Sequence, residues 1–311
     1  MTNDTIGVDI SKDHLDAYRM SDGASRRFSN DKAGHKAFVD WAGQPDKRIV
    51  YEPTGPYHRA FERRLAADGF ALVKVNPRQA RRFAEATGRL AKTDRLDAAM
   101  LARMGALLEL EARPARSPAL NDLKDLSMAR EALVKSRTAA KNRAKNLTLP
   151  ILKRHNGEQL RQIQRQLAAI EKEIMALIRA DPELARRFDI LVSIPGVSAV
   201  TAFALIIDMP ELGALENAQA ASLAGLAPVA RQSGKWTGRA FIRGGRANVR
   251  QALYMPALVA MRFNPDLKAK YDRFIAAGKP AKKAITAIMR KLIVLANALL
   301  RDQRKWGPSL P

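Results

Sequence analysis

TIGVDISKDHLDAYRM, residues 5–20, decides how the first third of the chain folds. Ile6, Val8 and Ile10 alternate with Gly7 and Asp9, the period of two that marks a strand in a sheet. Ser11-Lys12-Asp13 supplies a short polar turn, and HLDAYRM (14–20) reads as a second strand. Asp9 is the unusual member, a carboxylate at an alternating position beside apolar Val8 and Ile10.

Outward from this pair the chain keeps alternating strand and helix signals. A third strand falls at about 24–30, after a Ser-Asp-Gly turn. Asp31 is placed to cap a helix through Trp41. RIVYEP (48–53) is a fourth strand ended by Pro53, and a helix follows with Phe61 and Leu65 on one face. FALVKV (70–75) is a fifth strand. Asn76-Pro77 opens another helix, since Asn caps and Pro suits the first turn. Thr93 or Asp94 caps a last one through about Leu108. The expectation for residues 1–112 is an α/β domain, a mixed sheet covered by helices.

The remaining two-thirds has another character. Residues 1–110 hold 19 Lys and Arg against 15 Asp and Glu, a net of +4, whereas residues 111–311 hold 35 against 16, a net of +19. So lopsided a charge implies a polyanionic partner, nucleic acid, and leaves the acids of the balanced first part a local purpose. With 47% hydrophobic residues among 311, wholesale disorder is excluded. The absence of cysteine excludes disulfides and cysteine-based zinc sites and suits a reducing cytoplasm. The early acids of the N-terminus do not make a signal peptide. The most apolar stretch, residues 190–209, is broken by Ser193, Pro195, Gly196 and Asp208 and reads as buried core, so no membrane partner is expected and a cytoplasmic location is.

Residues 113–183 read as a helical, coiled-coil segment. Leu160, Ile163, Leu167, Ile170, Ile174 and Leu177 form an alternating three-and-four seam, which suits either a coiled coil between chains or an antiparallel helix pair. Pro150 and Asn156-Gly157 suggest a hairpin tip. The mainly α segment 184–311 contains IPGVSAVTA (194–202), which has the look of a helix-hairpin-helix turn aiming N–H groups at phosphate, or of an ordinary Pro-Gly turn. Residues 188–230 lack Lys and Arg, and then a cationic run begins. The candidate phosphate-facing cations are Lys92, Arg130, Arg137, Lys141, Arg231, Lys235, Arg239, Arg243, Arg246 and Arg250.

Four acids carry the chemical reading. Asp9 lies in the first strand, Glu52 ends the fourth, and Asp94 and Asp97 share a helix face three residues apart. If the first and fourth strands are neighbours, Asp9 and Glu52 lie side by side and the helix presents the other two over them. Clustered carboxylates need cations, and hard oxygen ligands suit Mg²⁺. Two such ions about 4 Å apart activate an attacking oxygen and stabilise a leaving one. Singly, each acid has a structural role open to it: Asp94 as an N-cap, Asp97 paired with an arginine, Asp9 capping a turn with Ser11. The order strand Asp, strand Glu, helix Asp-x-x-Asp is that of the RNase-H-like fold of Holliday-junction resolvases.

GVDISKD (7–13), YEPTG (51–55), NPRQARRFA (76–84) and KTDRLDA (92–98) resemble the DEDD, RuvC-like domain of the insertion-sequence one-ten transposases. IPGVSAVTA, LAGLAP (223–228), RQSGKWTG (231–238) and IRGGRANVRQAL (242–253) resemble that family's second, serine-bearing domain. The resemblance implies Mg²⁺ at Asp9, Glu52, Asp94 and Asp97, and Ser233 as the nucleophile that joins a DNA phosphate. It also implies donor and target DNA chosen by a structured guide, the bridge RNA, and a dimer-to-tetramer assembly in which carboxylates and serine come from different protomers. Without the resemblance, Ser233 reads as part of a Ser-Gly turn. Two other functions compete: a metal-dependent, junction-resolvase-like nuclease that uses water, and a non-enzymatic nucleic-acid scaffold. The second explains the charge and leaves the four acids unexplained.

Overall fold

In a computed structural model the described residues are 4–53, 55–88, 94–108, 110, 112, 117–234, 236–238 and 240–307, with Asp94 and Arg95 described by backbone alone. The chain divides into two compact units, residues 1–116 and 117–311. The middle segment read from sequence, 113–183, therefore falls almost wholly in the second unit.

The first unit is a five-stranded sheet. β1 (Thr5–Ile10), β2 (His14–Arg19), β3 (Ser25–Ser29), β4 (Arg48–Tyr51) and β5 (Ala71–Lys74) lie in the order β3-β2-β1-β4-β5. β1 pairs antiparallel with β2 and parallel with β4, which pairs parallel with β5. The mixed sheet expected from the alternation is present, with the first and fourth strands adjacent.

Each face of the sheet has its own helices. On one, Ile6, Val8, Ile49 and Tyr51 are buried with Phe38 of α1 (Lys32–Ala42) and with Phe61 and Leu65 of α2 (His58–Ala67). Burying each of these large side chains contributes roughly 1.5–3 kcal/mol before chain entropy is counted. Asp31 caps α1, its carboxylate accepting from the Gly34 amide at 2.8 Å. On the other face, Val50 and Val73 pack with Ala80 of α3 (Pro77–Ala86) and with Met100, Leu101 and Met104 of α4 (Asp94–Leu107).

α4 touches the sheet backbone to backbone. A Cβ on Gly7 would run into the Ala98 carbonyl oxygen and the Ala102 nitrogen, and one on Gly105 would strike Val50 and come within 3.3 Å of the Thr5 methyl. Position 105 thus sits near the start of β1 and positions 98–102 sit over its middle, so α4 runs opposite to β1. This seating directs the N-terminal turn of α4 toward the C-terminal end of β1.

The second unit is helical. α5 (Pro118–Ala144) and α6 (Pro150–Ala180) form an antiparallel hairpin, marked by Arg130 Nε donating to Glu171 at 2.8 Å and Arg143 donating to Gln159 at 3.2 Å. Of the apolar seam, Ile163, Leu167 and Ile174 are buried within this single chain. Asn156 and Gly157 are not a tip: both lie inside α6, and Asn156 is buried with its amide donating to the Ala140 carbonyl at 3.2 Å. The turn comes earlier, at 145–149, because Pro150 starts the helix that follows.

The rest packs around α13 (Ala281–Arg301), where Ile288, Leu292, Ile293, Ala296 and Leu299 are fully buried. Buried Asn297 accepts from the Gly213 amide at 2.8 Å and donates to the Leu215 carbonyl at 2.6 Å, tying the preceding loop to this helix. α7 (Pro182–Val192) and α8 (Ala199–Asp208) flank the Pro-Gly turn. A Cβ on Gly196 would come within 2.8 Å of the Pro256 carbonyl, on α11 (Tyr254–Phe263). The turn is therefore a packing element, with Ile194 and Val197 buried beside it, and not an open cradle for phosphate.

Two substitutions test this architecture. Gly7→Ala is expected to push α4 off the sheet at a cost of about 3 kcal/mol, seen as a lower urea midpoint in the fluorescence of Trp41, which packs on this unit's core. An unchanged midpoint would contradict the backbone contact. Ile174→Asp is expected to melt the helical signal of the second unit, because it buries a lone charge at a site with 0% exposure. A variant that stays folded but drops in mass by light scattering would instead make the seam an interface between chains.

Candidate active site

The acids of the first unit are set by strand register. Val8 pairs with Tyr51 across the parallel β1–β4 ladder, so Asp9 and Glu52 are the next residues on neighbouring strands. Asp9 shares its face with Gly7, the α4 side. Asp97 precedes the buried Met100 and Leu101 by three and four residues, which places it on the sheet-facing stripe of α4. From Gly7 to Asp9 is about 7 Å along a strand, or between four and five helical residues. Counting back that far from positions 98–102 reaches the first turn of α4, where Asp94 and Asp97 stand. The side chain of Asp94 lies outside the described atoms, as does all of Lys92.

A fifth acid belongs to this end of the sheet. Asp16 pairs directly with Asp9 across β1 and β2. Like charges directly opposite are unfavourable, and Arg27 answers with two bonds to Asp16, Nε to Oδ1 and Nη2 to Oδ2, both at 2.9 Å. Asp16 is thereby spent on a guanidinium. The alternation around 14–20 placed it on the same face as Asp9, a signal present in the sequence. Asp9, Glu52 and Asp97 likewise offer carboxylate oxygens, the hard ligands that suit Mg²⁺. Among the described residues no three His, Cys, Asp or Glu side chains are gathered into a metal-binding group.

Behind Glu52, on the opposite face of the sheet, sits a buried ionisable cluster. Lys74 Nζ lies 2.7 Å from Glu62, and His58 Nε2 lies 3.4 Å from the same carboxylate. Burial, then the Lys74 charge, pushes the His58 imidazole below its ordinary value, so it stays neutral near pH 7. Burial, reinforced by the Glu62 anion, pushes the Tyr51 phenol up. Tyr51 is the residue before Glu52, so this cluster and the core around it pin the strand end that carries Glu52.

In the second unit the serine stands on a small ribbon that sequence periodicity did not disclose. β7 (Gln232–Ser233) and β8 (Trp236–Thr237) form a hairpin with Ser233 opposite Trp236, closed by the Gly238 amide donating to the Arg231 carbonyl at 2.8 Å. Gly234 follows the serine at φ +55°, a left-handed conformation that glycine adopts freely. β6 (Pro228–Val229) pairs with β9 (Phe241–Ile242) below it. Ser233 is exposed.

The base of this ribbon is an interlock of two glycine motifs. A Cβ on Gly245 would collide with the backbone of Gly225, and the Arg246 amide donates to the Leu223 carbonyl at 2.7 Å. LAGLAP and IRGGRAN thus meet main chain to main chain.

The expected cations divide by environment. Arg246 makes two bonds of 2.7 Å to Glu211 and one of 2.8 Å to the Asp208 carbonyl. Arg250 donates to the Gly244 carbonyl at 2.9 Å. Arg130 holds Glu171 and lies over Phe203, its guanidinium carbon 5.5 Å from the ring centroid. These three brace the helical unit. Lys141, Arg231 and Arg243 are exposed, Arg137 is half-buried, and Lys235 and Arg239 lie outside the described residues.

Comparison with known proteins covers both units. A transposase family model of the DEDD, IS110 type matches residues 6–152, and the model described as "Transposase IS116/IS110/IS902 family" matches residues 188–272. The chain is 29% identical over 321 residues to the pilin gene-inverting protein of Moraxella bovis, covering 98% of each, and equally similar to that of Moraxella lacunata. It is 31% identical over 166 residues to an uncharacterised 43.6 kDa protein of insertion element IS110 from Streptomyces coelicolor, covering 53% of this chain and 40% of that one. Asp9, Glu52, Asp94 and Asp97 all fall in the first matched region and Ser233 in the second, and with a family match in each folded unit, the chain belongs to the IS110 family of transposases, enzymes that act on DNA.

Proposed function

We propose that this transposase cuts and rejoins DNA strands with Ser233 as the nucleophile and with Mg²⁺ held by Asp9, Glu52, Asp94 and Asp97. What supports the reading is the adjacency of Asp9 and Glu52 in the parallel β1–β4 register, with the first turn of α4, which carries Asp97, directed toward the same end of the sheet. The exposed serine at the head of a cationic ribbon supports the second half. The serine oxygen attacks a backbone phosphorus, and the Oγ–P bond forms as a P–O bond of the DNA breaks. The hydroxyl gives up a proton and the departing oxygen gains one. The phosphoserine link keeps the diester's energy for rejoining, which suits a recombinase better than a nuclease. A serine hydroxyl is a weak nucleophile and needs activation. His14, His35, His58 and His155 are the chain's four histidines, all distant in sequence from Ser233. A divalent metal supplies that activation when bound, together with charge for the leaving oxygen.

The excess of positive charge in residues 111–311 serves donor and target DNA and, in this reading, a structured bridge RNA that selects both by base pairing. The named role of the Moraxella relatives, pilin gene inversion, is a rearrangement that needs rejoining as well as cutting. Carboxylates and serine would be completed between protomers of a dimer or tetramer. No described helix is long and apolar enough to cross a membrane.

The test uses labelled DNA, co-purified RNA and Mg²⁺, followed by denaturation. Wild-type protein is expected to retain label on the polypeptide. Ser233→Ala should lose both label and cleavage, by roughly 10³-fold or more, with nucleic-acid binding near normal. Asp9→Ala, Glu52→Ala and Asp97→Ala should each lose recombination, and chelation followed by Mg²⁺ should remove and restore it in the wild type. Efficient cleavage by Ser233→Ala would transfer the chemistry to water and make the protein resolvase-like. Sequencing the RNA that purifies with the protein checks the guide.

A further inference from the structure

Ser233 does not face solvent alone. It is directly opposite Trp236 in the β7–β8 pair, and opposed side chains of an antiparallel ladder share one face with their Cβ atoms about 5 Å apart. The indole is aimed by a glycine. Gly238, two residues on and so on the same face, has no side chain, and a Cβ there would run into the indole, with Cζ3 at 2.8 Å and Cζ2 at 2.9 Å. One side of the ring is therefore laid along the ribbon over Gly238. Even so, Trp236 is 58% exposed. Arg231, across from Gly238, places its guanidinium over Phe241, 5.6 Å from the ring centroid. Hydroxyl, indole and guanidinium thus follow one another along one face of the ribbon.

A tryptophan held this way, on a ribbon whose paired Val229 and Phe241 are also exposed, leaves apolar surface in water, and such surface marks binding sites. The charge around it specifies the occupant. Between Glu216 and Asp266 the sequence has no acidic residue, and of the cations in this stretch Arg231 and Arg243 are exposed. A ligand that pairs a flat π face with negative charge matches both features, and a nucleotide is that ligand. Stacking on an aromatic ring is tolerant of base identity because every base has a π face. Bases inside a duplex already stack on each other, so the platform would take one that has left the stack.

We propose that Trp236 is a stacking platform for an unpaired base next to the phosphate attacked by Ser233, and that it sets the register of the DNA strand on the serine. This rests on the serine reading above for the identity of that phosphate, though not for the stacking itself.

The test isolates Trp236 emission in full-length protein carrying Trp41→Phe and Trp306→Phe. A single-stranded oligonucleotide is expected to quench the emission and to shield it from acrylamide, whereas heparin, a polyanion without bases, should do neither. Trp236→Ala should weaken oligonucleotide binding about tenfold or more with the salt slope unchanged, because phosphate contacts remain. Trp236→Phe should recover part of that loss. Emission that ignores the oligonucleotide, or that heparin quenches equally, would overturn the proposal. A blue shift that grows with protein concentration and needs no nucleic acid would overturn it in favour of a second copy of the chain. The fluorescence reading uses the native tryptophan and does not depend on how the alanine variant folds. Quenching that persists in Ser233→Ala supports the platform whatever that variant does to cleavage. Loss of cleavage by Ser233→Ala with an indifferent Trp236 would sink the platform and leave the serine in place.

Discussion

The seat of α4 on Gly7 fixes the geometry of the first unit. Side-chain packing usually holds a helix some 10 Å from a sheet, and small rotations are absorbed by flexible side chains. Here the Ala98 carbonyl and the Ala102 amide occupy the space that a Cβ would need. Main-chain atoms have no rotamers with which to yield, so the height and direction of the helix are fixed. Asp9 and Asp97 both inherit that constraint, and Glu52 follows from the β1–β4 register. Asp9 follows two residues after the contact on one element, and Asp97 comes one residue before it on the other. The apolar layers on either side of the sheet supply the free energy, but the glycine determines where the acids end up.

The second unit uses the same device for a different purpose. Gly225 and Gly245 bring two loops into main-chain contact, and Arg250 adds a bond to the Gly244 carbonyl. Nearby, the end of α8 and its loop collect cations: Lys124 on Asp208 at 2.5 Å, Arg246 on Glu211, and Arg187 on the Pro210 and Leu212 carbonyls at 3.0 and 2.8 Å. Burial pushes the Arg187 guanidinium down from its ordinary value, and the carbonyls satisfy its donors there. Part of the large positive charge is therefore structural, and the part exposed on the ribbon stands out more sharply.

The sheet was legible because its signals are local and repeated. Alternation marked β1, β2, β4 and β5, and the caps at Asp31 and Asn76 began α1 and α3 where expected, Asn76 accepting from the Arg78 amide at 2.9 Å. The neighbouring of β1 and β4, a long-range fact, was read only through the acids that need it. Three features escaped for physical reasons. Two-residue strands such as β7 and β8 have no periodicity to detect, so the ribbon within the cationic run is not visible in the sequence. Asn156-Gly157 carried the chemistry of a turn, but an extended helical pattern and a bond to Ala140 overrode it. A formal charge does not say whether it is already answered, and Arg130, Arg246 and Arg250 turned out to have partners within the fold. Trp236 carried a signal, an aromatic beside a candidate nucleophile, whose meaning depended on a register invisible in one dimension.

The α5–α6 hairpin has a mechanical consequence. At 1.5 Å per residue its longer arm extends about 45 Å. Leu123, Ile174 and Ile178 anchor one end in the core of the unit, while beyond Ile163 the two helices rely on each other. Asn156, bonded to Ala140 near the far end, resists sliding of one helix along the other. The hairpin therefore behaves as a stiff beam clamped at one end. Tilting its base by a few degrees sweeps the tip through several ångströms, and a modest force at the tip, where Leu149, Ile151 and Leu152 are exposed, arrives at the clamp as a torque equal to that force times the length of the arm.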